Sequence, residues 1–177
     1  MLRFPDPPLS DGTITLRAKT RNDVEALVAA CQDPEISRWT RVPSPYTRDD
    51  AEGWIAASEL ELAAGSAIGW LVVDAVGALL GSVGVQNIRP EEGVAEIGYW
   101  VAAAARGRGV AARAVRLVTG WALREGVART LEITVHEDNP ASQAVARAAG
   151  FALTGERDEA PAAGSPPGRH LVFSAPA

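Results

Sequence analysis

The stretch Glu96-Ile97-Gly98-Tyr99-Trp100-Val101, followed after four alanines by Arg106-Gly107-Arg108-Gly109-Val110-Ala111, decides the reading of this chain. The first half alternates. Ala95, Ile97, Tyr99 and Val101 share one face of a strand, and Glu96, Gly98 and Trp100 share the other. The second half opens a helix whose apolar positions Val110, Ala114, Leu117, Val118 and Trp121 recur at helical spacing, with Arg113, Arg116 and Arg124 on the far side. Between the two lies a turn with two glycines. Backbone N–H groups at a helix start have no intrahelical partner and carry partial positive charge, so an anion, and a phosphate above all, is their natural ligand.

Outward from this turn the chain reads as one domain. Its 177 residues, 47% of them hydrophobic, suffice for a single full core. Thr13 to Arg17 alternates as a first strand, and Thr20 with Asp23 caps a helix that ends near Asp33-Pro34, where a short second piece begins. Arg38 to Tyr46, with two prolines and two aromatics, is expected as an ordered loop that either shapes a pocket or pins itself to the core. Thr47 with Asp50 caps the next helix. Ala51, Trp54, Ile55, Ser58 and Leu62 mark its inner face, and Gly65 stops it. Ala67 to Asp74 and Ala78 to Gln86 then read as a hairpin about Gly77. With the strand at Glu96, reached through the turn at Pro90 to Gly93, they make an antiparallel meander. After the helix from Val110 to Glu125, Arg129 to Val135 is a further strand, Asn139-Pro140 starts a helix, and Gly150-Phe151 closes it. Leu153 to Arg157 and Leu171 to Ser174 are the last strands, and the stretch Ala160 to Gly168 between them is expected to be a mobile connection or an exposed loop, with the first ten or so residues also expected to be mobile. Meander first and strand-helix alternation second imply a mixed α/β sheet with helices on both faces.

The net charge of −5 opposes general nucleic-acid binding, since no basic face is left beyond the arginines of 106–116. The single cysteine, Cys31, shares an i, i+3, i+4, i+7 stripe with Val24, Leu27 and Val28 and reads as core. No apolar run reaches the length of a membrane span, and the proline-rich start lacks a signal-peptide core, so a cytoplasmic protein without membrane attachment is expected.

Three phosphate sites compete for the glycine turn. A P-loop needs Gly-Lys-Ser/Thr, which is missing. A dinucleotide fingerprint is met by Gly107, Gly109 and Ala112, with Glu132 about 20 residues on. However, too little chain follows to complete the parallel sheet, and Glu132 sits within its strand. The third pattern is Arg/Gln-x-x-Gly-x-Gly/Ala, matched by Arg106, Gly109 and Ala111. In this setting of strand, turn, helix, strand, Asn-opened helix and Gly-Phe, the chain resembles the GNAT superfamily of acetyl-CoA-dependent N-acetyltransferases. Ile14-Thr15-Leu16-Arg17 with Asp23, Asp33-Pro34-Glu35, Ile97 to Val101 and Asn139-Pro140-Ala141-Ser142 are similar to its Rim-type (RimJ/RimL-like) branch, which acetylates N-termini of ribosomal proteins.

The resemblance implies a mostly antiparallel sheet of about 6–7 strands, splayed between the fourth and fifth and flanked by about four helices. It implies acetyl-CoA as cosubstrate, with no metal. Main-chain N–H groups of Arg106, Gly107, Arg108, Gly109, Val110 and Ala111 would cradle the diphosphate, while Asn139 and Ser142 contact the pantetheine arm. The N–H near Val101 would meet the oxyanion. Glu96 is the implied catalytic base. His136, just past its strand, has an intrinsic pKa that also suits a base, against the simpler reading of a surface histidine. The family's usual tyrosine proton donor falls at Ala146 and is absent, which leaves Ser142 or solvent to protonate the thiolate. The acceptor would be a primary amine, either a protein N-terminus or a small molecule such as an amino acid, polyamine or antibiotic. A CoA-binding sensor without turnover is the non-enzymatic alternative. Oligomeric state stays open between monomer and homodimer.

Overall fold

The computed structural model describes residues 2–158 and 167–176. In chain order these form β1 (Leu9–Ser10), β2 (Thr15–Arg17), α1 (Val24–Ala30), α2 (Pro34–Trp39), α3 (Arg48–Ala64), β3 (Ile68–Val73), β4 (Leu79–Arg89), β5 (Val94–Val101), α4 (Val110–Arg124), β6 (Thr130–His136), α5 (Pro140–Ala148), β7 (Ala152–Arg157) and β8 (His170–Pro176). One eight-stranded sheet runs β1-β2-β3-β4-β5-β6-β8-β7. Its neighbours are antiparallel except β5 and β6, which are parallel. The strand count exceeds the expected 6–7 by the two-residue β1, too short to leave an alternation in the sequence. It pairs Leu9 with Leu16. Five helices replace about four because Asp33 caps a separate α2, its side chain accepting from the Glu35 N–H. Residues 160–166 of the expected mobile connection lie outside the described residues.

The caps follow the sequence. Thr20 with Asp23, and Thr47 with Asp50, form reciprocal capping boxes, and Gly65 ends α3 at φ 72°. The first of these opens a short 3₁₀ turn, Arg21–Asp23, before α1 begins.

Alternation along β3 divides the core into two layers. Trp70 and Val72 pack with Val83, Val115, Val118 and Trp121 beneath α4. Leu71, on the opposite face, packs with Val24, Leu27, Cys31, Tyr46 and Ile55 beneath α1 and α3. Cys31 is therefore a core residue, and burial pushes its thiol up to about 12. Burying side chains of this size contributes roughly 1.5–3 kcal/mol each, which fixes the sheet between its two helical layers.

The feature that positions the site is where β5 and β6 part. They pair only through Val94 with Thr130, Ala95 with Leu131 and Glu96 with Glu132, and diverge beyond that register. A cavity of about 670 Å³ occupies the α1/α3 face of the sheet and reaches this gap.

Candidate active site

Parting leaves one edge of β5 unpaired. The Ala102 N–H donates to Leu80 O (2.9 Å). Because antiparallel ladders alternate, the N–H and C=O groups of Val101 and Tyr99 then face away from β4, towards the gap. An extended amide-bearing chain laid in the gap would find a strand edge to pair with.

At the end of β5 a 3₁₀ turn, Ala103–Ala105, leads to the glycine turn. Gly107 and Gly109 both adopt left-handed backbone, φ 71° and 72°, and Gly109 is the N-cap of α4. These torsions turn successive N–H groups the same way. Within the described residues no hydrogen bond uses the N–H groups from Gly107 to Ala112, and a Cβ at either glycine would meet nothing within 4 Å. The Arg106 N–H, first of the expected 106–111 set, donates to Ala103 O (3.3 Å). The Arg106 side chain is also engaged, pairing with Asp33 at 2.6 Å. Arg108 is exposed, Val110 and Ala111 are buried at the helix start, and Arg113 reaches Asp11 at 2.7 Å.

On the other wall, Asn139 caps α5, its side chain accepting from the Ser142 N–H at 3.0 Å. The Ser142 hydroxyl lies 2.7 Å from the Tyr99 phenol, which also reaches Ser142 O at 3.2 Å. Burial pushes that phenol up to about 12, against the lowering effect of its bond to Ser142. Asn139, Ser142 and Tyr99 all line the cavity, whereas Ala146 is fully buried in the core and offers no proton.

Glu96 stands where the strands part, directly across from Glu132. Like charges in that position repel, and two arginines compensate them. Arg157 donates to both carboxylates (3.0 and 2.8 Å) and Arg89 does the same (3.5 and 3.1 Å). Asn87 donates to the remaining Glu96 oxygen at 2.8 Å. Glu96 lines the cavity with both carboxylate oxygens held. His136 departs from the surface reading, since it is 4% exposed. Its ring packs on Trp39 and His170 at 5.4 and 5.3 Å between centroids. Its Nδ1 accepts from the Asp138 N–H (3.0 Å), which leaves the proton of the neutral ring on Nε2. The loop after α2 both shapes and pins: Arg41, Val42 and Pro43 line the cavity while Tyr46 is buried in the second core.

Tyr99 and the two arginines were not singled out in the sequence as site residues. Tyr99 appears there only as an inward strand position, and Arg157 meets Glu96 across 61 positions of chain, a pairing that no local pattern encodes.

A mixed sheet that opens between two parallel central strands, with an N–H-lined turn leading the following helix, is the fold of the GNAT N-acetyltransferases. The chain belongs to that family: residues 13–152 match the acetyltransferase (GNAT) domain model. Among curated proteins it is 34% identical over 77 residues to the ribosomal-protein-serine acetyltransferase of Escherichia coli (strain K12), a match covering 44% of this chain and 43% of that protein, less than half of either. The fold is similar to that of the microcin C7 self-immunity acetyltransferase MccE in complex with acetyl-CoA and AMP (TM-score 0.86, 22% identity, 97% of this chain and 100% of that one). It is also similar to RimL, a ribosomal L7/L12 alpha-N-protein acetyltransferase, in complex with coenzyme A (TM-score 0.83, 23% identity, 96% of each chain).

Proposed function

We propose that this protein transfers an acetyl group from acetyl-CoA to the α-amine at the N-terminus of a peptide or protein, in a ternary complex. The observation that carries this reading is the continuity of three features: the unbonded N–H groups of Gly107 to Ala112, the open edge of β5 and the cavity beside it. Main-chain N–H groups would hold the diphosphate, the pantetheine arm would add to the β5 edge, and the thioester would then lie beside Tyr99 and Ser142. The resemblance to proteins that acetylate ribosomal N-termini supports a peptide acceptor. Likeness to the MccE fold favours a small-molecule amine as the second reading.

An alkyl amine is mostly protonated at neutral pH, so a proton must leave before attack. Glu96 is assigned this role, with a water relaying the proton to the carboxylate that Asn87, Arg89 and Arg157 keep in place. As the amine adds to the thioester carbon, the Val101 N–H stabilises the oxyanion. Collapse breaks the C–S bond; the Ser142 hydroxyl protonates the sulfur and takes a proton from Tyr99, and the second proton released by the former amine nitrogen returns to the Tyr99 oxygen, so the pair ends as it began. Asn139 holds the α5 start, and thereby Ser142, against the gap.

The test is thiol release from acetyl-CoA over a panel of peptides with different first residues and a panel of small amines. Peptide turnover that falls on N-terminal blocking supports the reading. Turnover with small amines alone moves the acceptor class, and CoA binding without thiol release from either panel overturns it in favour of a sensor.

A further inference from the structure

The cavity extends well beyond the gap where the chemistry is placed. Its floor crosses three strands at one register, Gly69 of β3 beside Gly84 of β4 and Gly84 beside Gly98 of β5. No side chain rises from these positions, so the far end stays connected to the β5 edge. Strands lie about 4.8 Å apart, which puts Gly69 roughly 10 Å from β5.

Lys19, in the segment between β2 and α1, closes that far end. Its Nζ rests over Gly69, 2.9 Å from where a Cβ would stand, and donates to Gly69 O at 3.0 Å. The ammonium also lies 4.5 Å from the centre of the Trp54 ring. Among the described residues no carboxylate comes within 4 Å of it. A half-buried cation on a cavity wall, fixed by a carbonyl and a ring and under the charge of Glu61 without a contact ion pair, has room for a closer counter-ion.

We propose that Lys19 is a specificity residue that pairs with a carboxylate of the acceptor, carried about 10 Å from the reacting amine. On an extended N-terminal peptide that distance corresponds to an acidic side chain at the second or third residue, at about 3.3 Å per residue. In a very short acceptor the C-terminal carboxylate supplies the same chemistry. The assignment rests on the acetyltransferase reading above and names the acceptor for that site.

The other charges around this arm do not create such a preference. Asp50 and Glu61 of α3 and Glu96 of β5 line the cavity, Glu59 flanks Lys19, and all four would repel an acidic acceptor. Arg41, in the loop after α2, is the other Lys/Arg side chain on the wall among the described residues and serves as the control. Burial lowers the Lys19 ammonium to about 8, with Glu61 acting the other way, while burial pushes the nearby Cys31 and Tyr46 up to about 12. Selection for an acid is therefore full below pH 7 and decays as pH rises through about 8. The acceptor's own amine titrates in the same range, but it does so equally for acidic and neutral peptides and cancels in their ratio.

The experiment measures kcat/KM for C-terminally amidated peptides that differ only by Asp or Asn at the second and third residues, with free-acid tripeptides as a separate arm. Wild type should favour Asp by about tenfold or more at pH 7, and the ratio should fall towards one by pH 9. Lys19→Met should abolish the preference, Lys19→Arg should keep it and Arg41→Met should leave it in place. A preference seen in the free-acid arm alone identifies the C-terminal carboxylate as the partner. The inference is overturned by equal use of Asp and Asn amides together with equal use of free-acid and amidated tripeptides, or by a preference that survives Lys19→Met or vanishes in Arg41→Met. Calorimetry with the same peptides and CoA separates the two readings. Acid-selective binding without thiol release removes the enzyme and keeps the Lys19 subsite, whereas thiol release without acid selectivity does the reverse.

Discussion

Ser142 and Tyr99 share a hydrogen bond of 2.7 Å at the cavity wall, and the chemistry assigned to them is separable by substitution. Ser142→Ala should lower kcat about ten- to hundredfold in steady-state thiol release, with Tyr99→Phe a smaller loss in the same direction. Equal kcat in Ser142→Ala would leave protonation to solvent. Glu96→Gln should lower kcat/KM by about a hundredfold in thiol release. A loss of thermal stability with unchanged kcat/KM would instead make Glu96 purely an element of the arginine cluster. Asp23 offers a test of stability alone. Hydrogen bonding from Arg17 holds its carboxyl below the ordinary value of 3.8, the Thr20 N–H and hydroxyl adding to that, while partial burial opposes it. A depressed folded-state value stabilises above the unfolded one and is lost as pH falls through it. Acid titration of stability should accordingly be steeper in wild type than in Asp23→Asn below pH 4.

Helix starts and turns were the most legible elements, because their signals are local. Thr20 with Asp23, Thr47 with Asp50, Asn139-Pro140 and the positive-φ glycines 65, 77, 126 and 150 all occupy the places their types favour. Asn139→Ala should cost about 1 kcal/mol in chemical denaturation and raise KM for acetyl-CoA, since α5 carries Ser142. What the sequence hid was long-range. Glu132 counted there only in weighing a dinucleotide site, yet it and Glu96 are bound through Arg89 and Arg157 at the last paired register of β5 and β6. His136 reads in the sequence as a surface residue just past its strand, whereas it is the last residue of β6 and is buried against Trp39 and His170. Lys19 sits in a polar stretch with no period. Its character comes from Gly69 and Trp54, which lie far along the chain.

For the molecule as a whole, the parting of β5 from β6 was readable only through resemblance, since no propensity records where two parallel strands stop pairing. The antiparallel meander and the following strand-helix alternation were readable from periodicity, and they account for seven of the eight strands. The β5–β6 gap also predicts how the protein responds to ligand. Saturating CoA should fill it, stabilising by about 2.7 kcal/mol at a hundred times the dissociation constant and raising Tm by roughly 5–10 °C in a thermal-shift assay. NAD or NADP should produce no comparable shift.

The account stands on the main-chain N–H groups from Gly107 to Ala112 holding a diphosphate. Isothermal titration of CoA into wild type and into Gly109→Val addresses this most directly, because a β-branched residue is strained at φ 72° although its Cβ would meet no neighbour. Saturable heat with wild type and affinity weakened by about tenfold or more in a folded Gly109→Val variant is the expected result. No heat with wild type, or equal affinity in the two proteins, would contradict it.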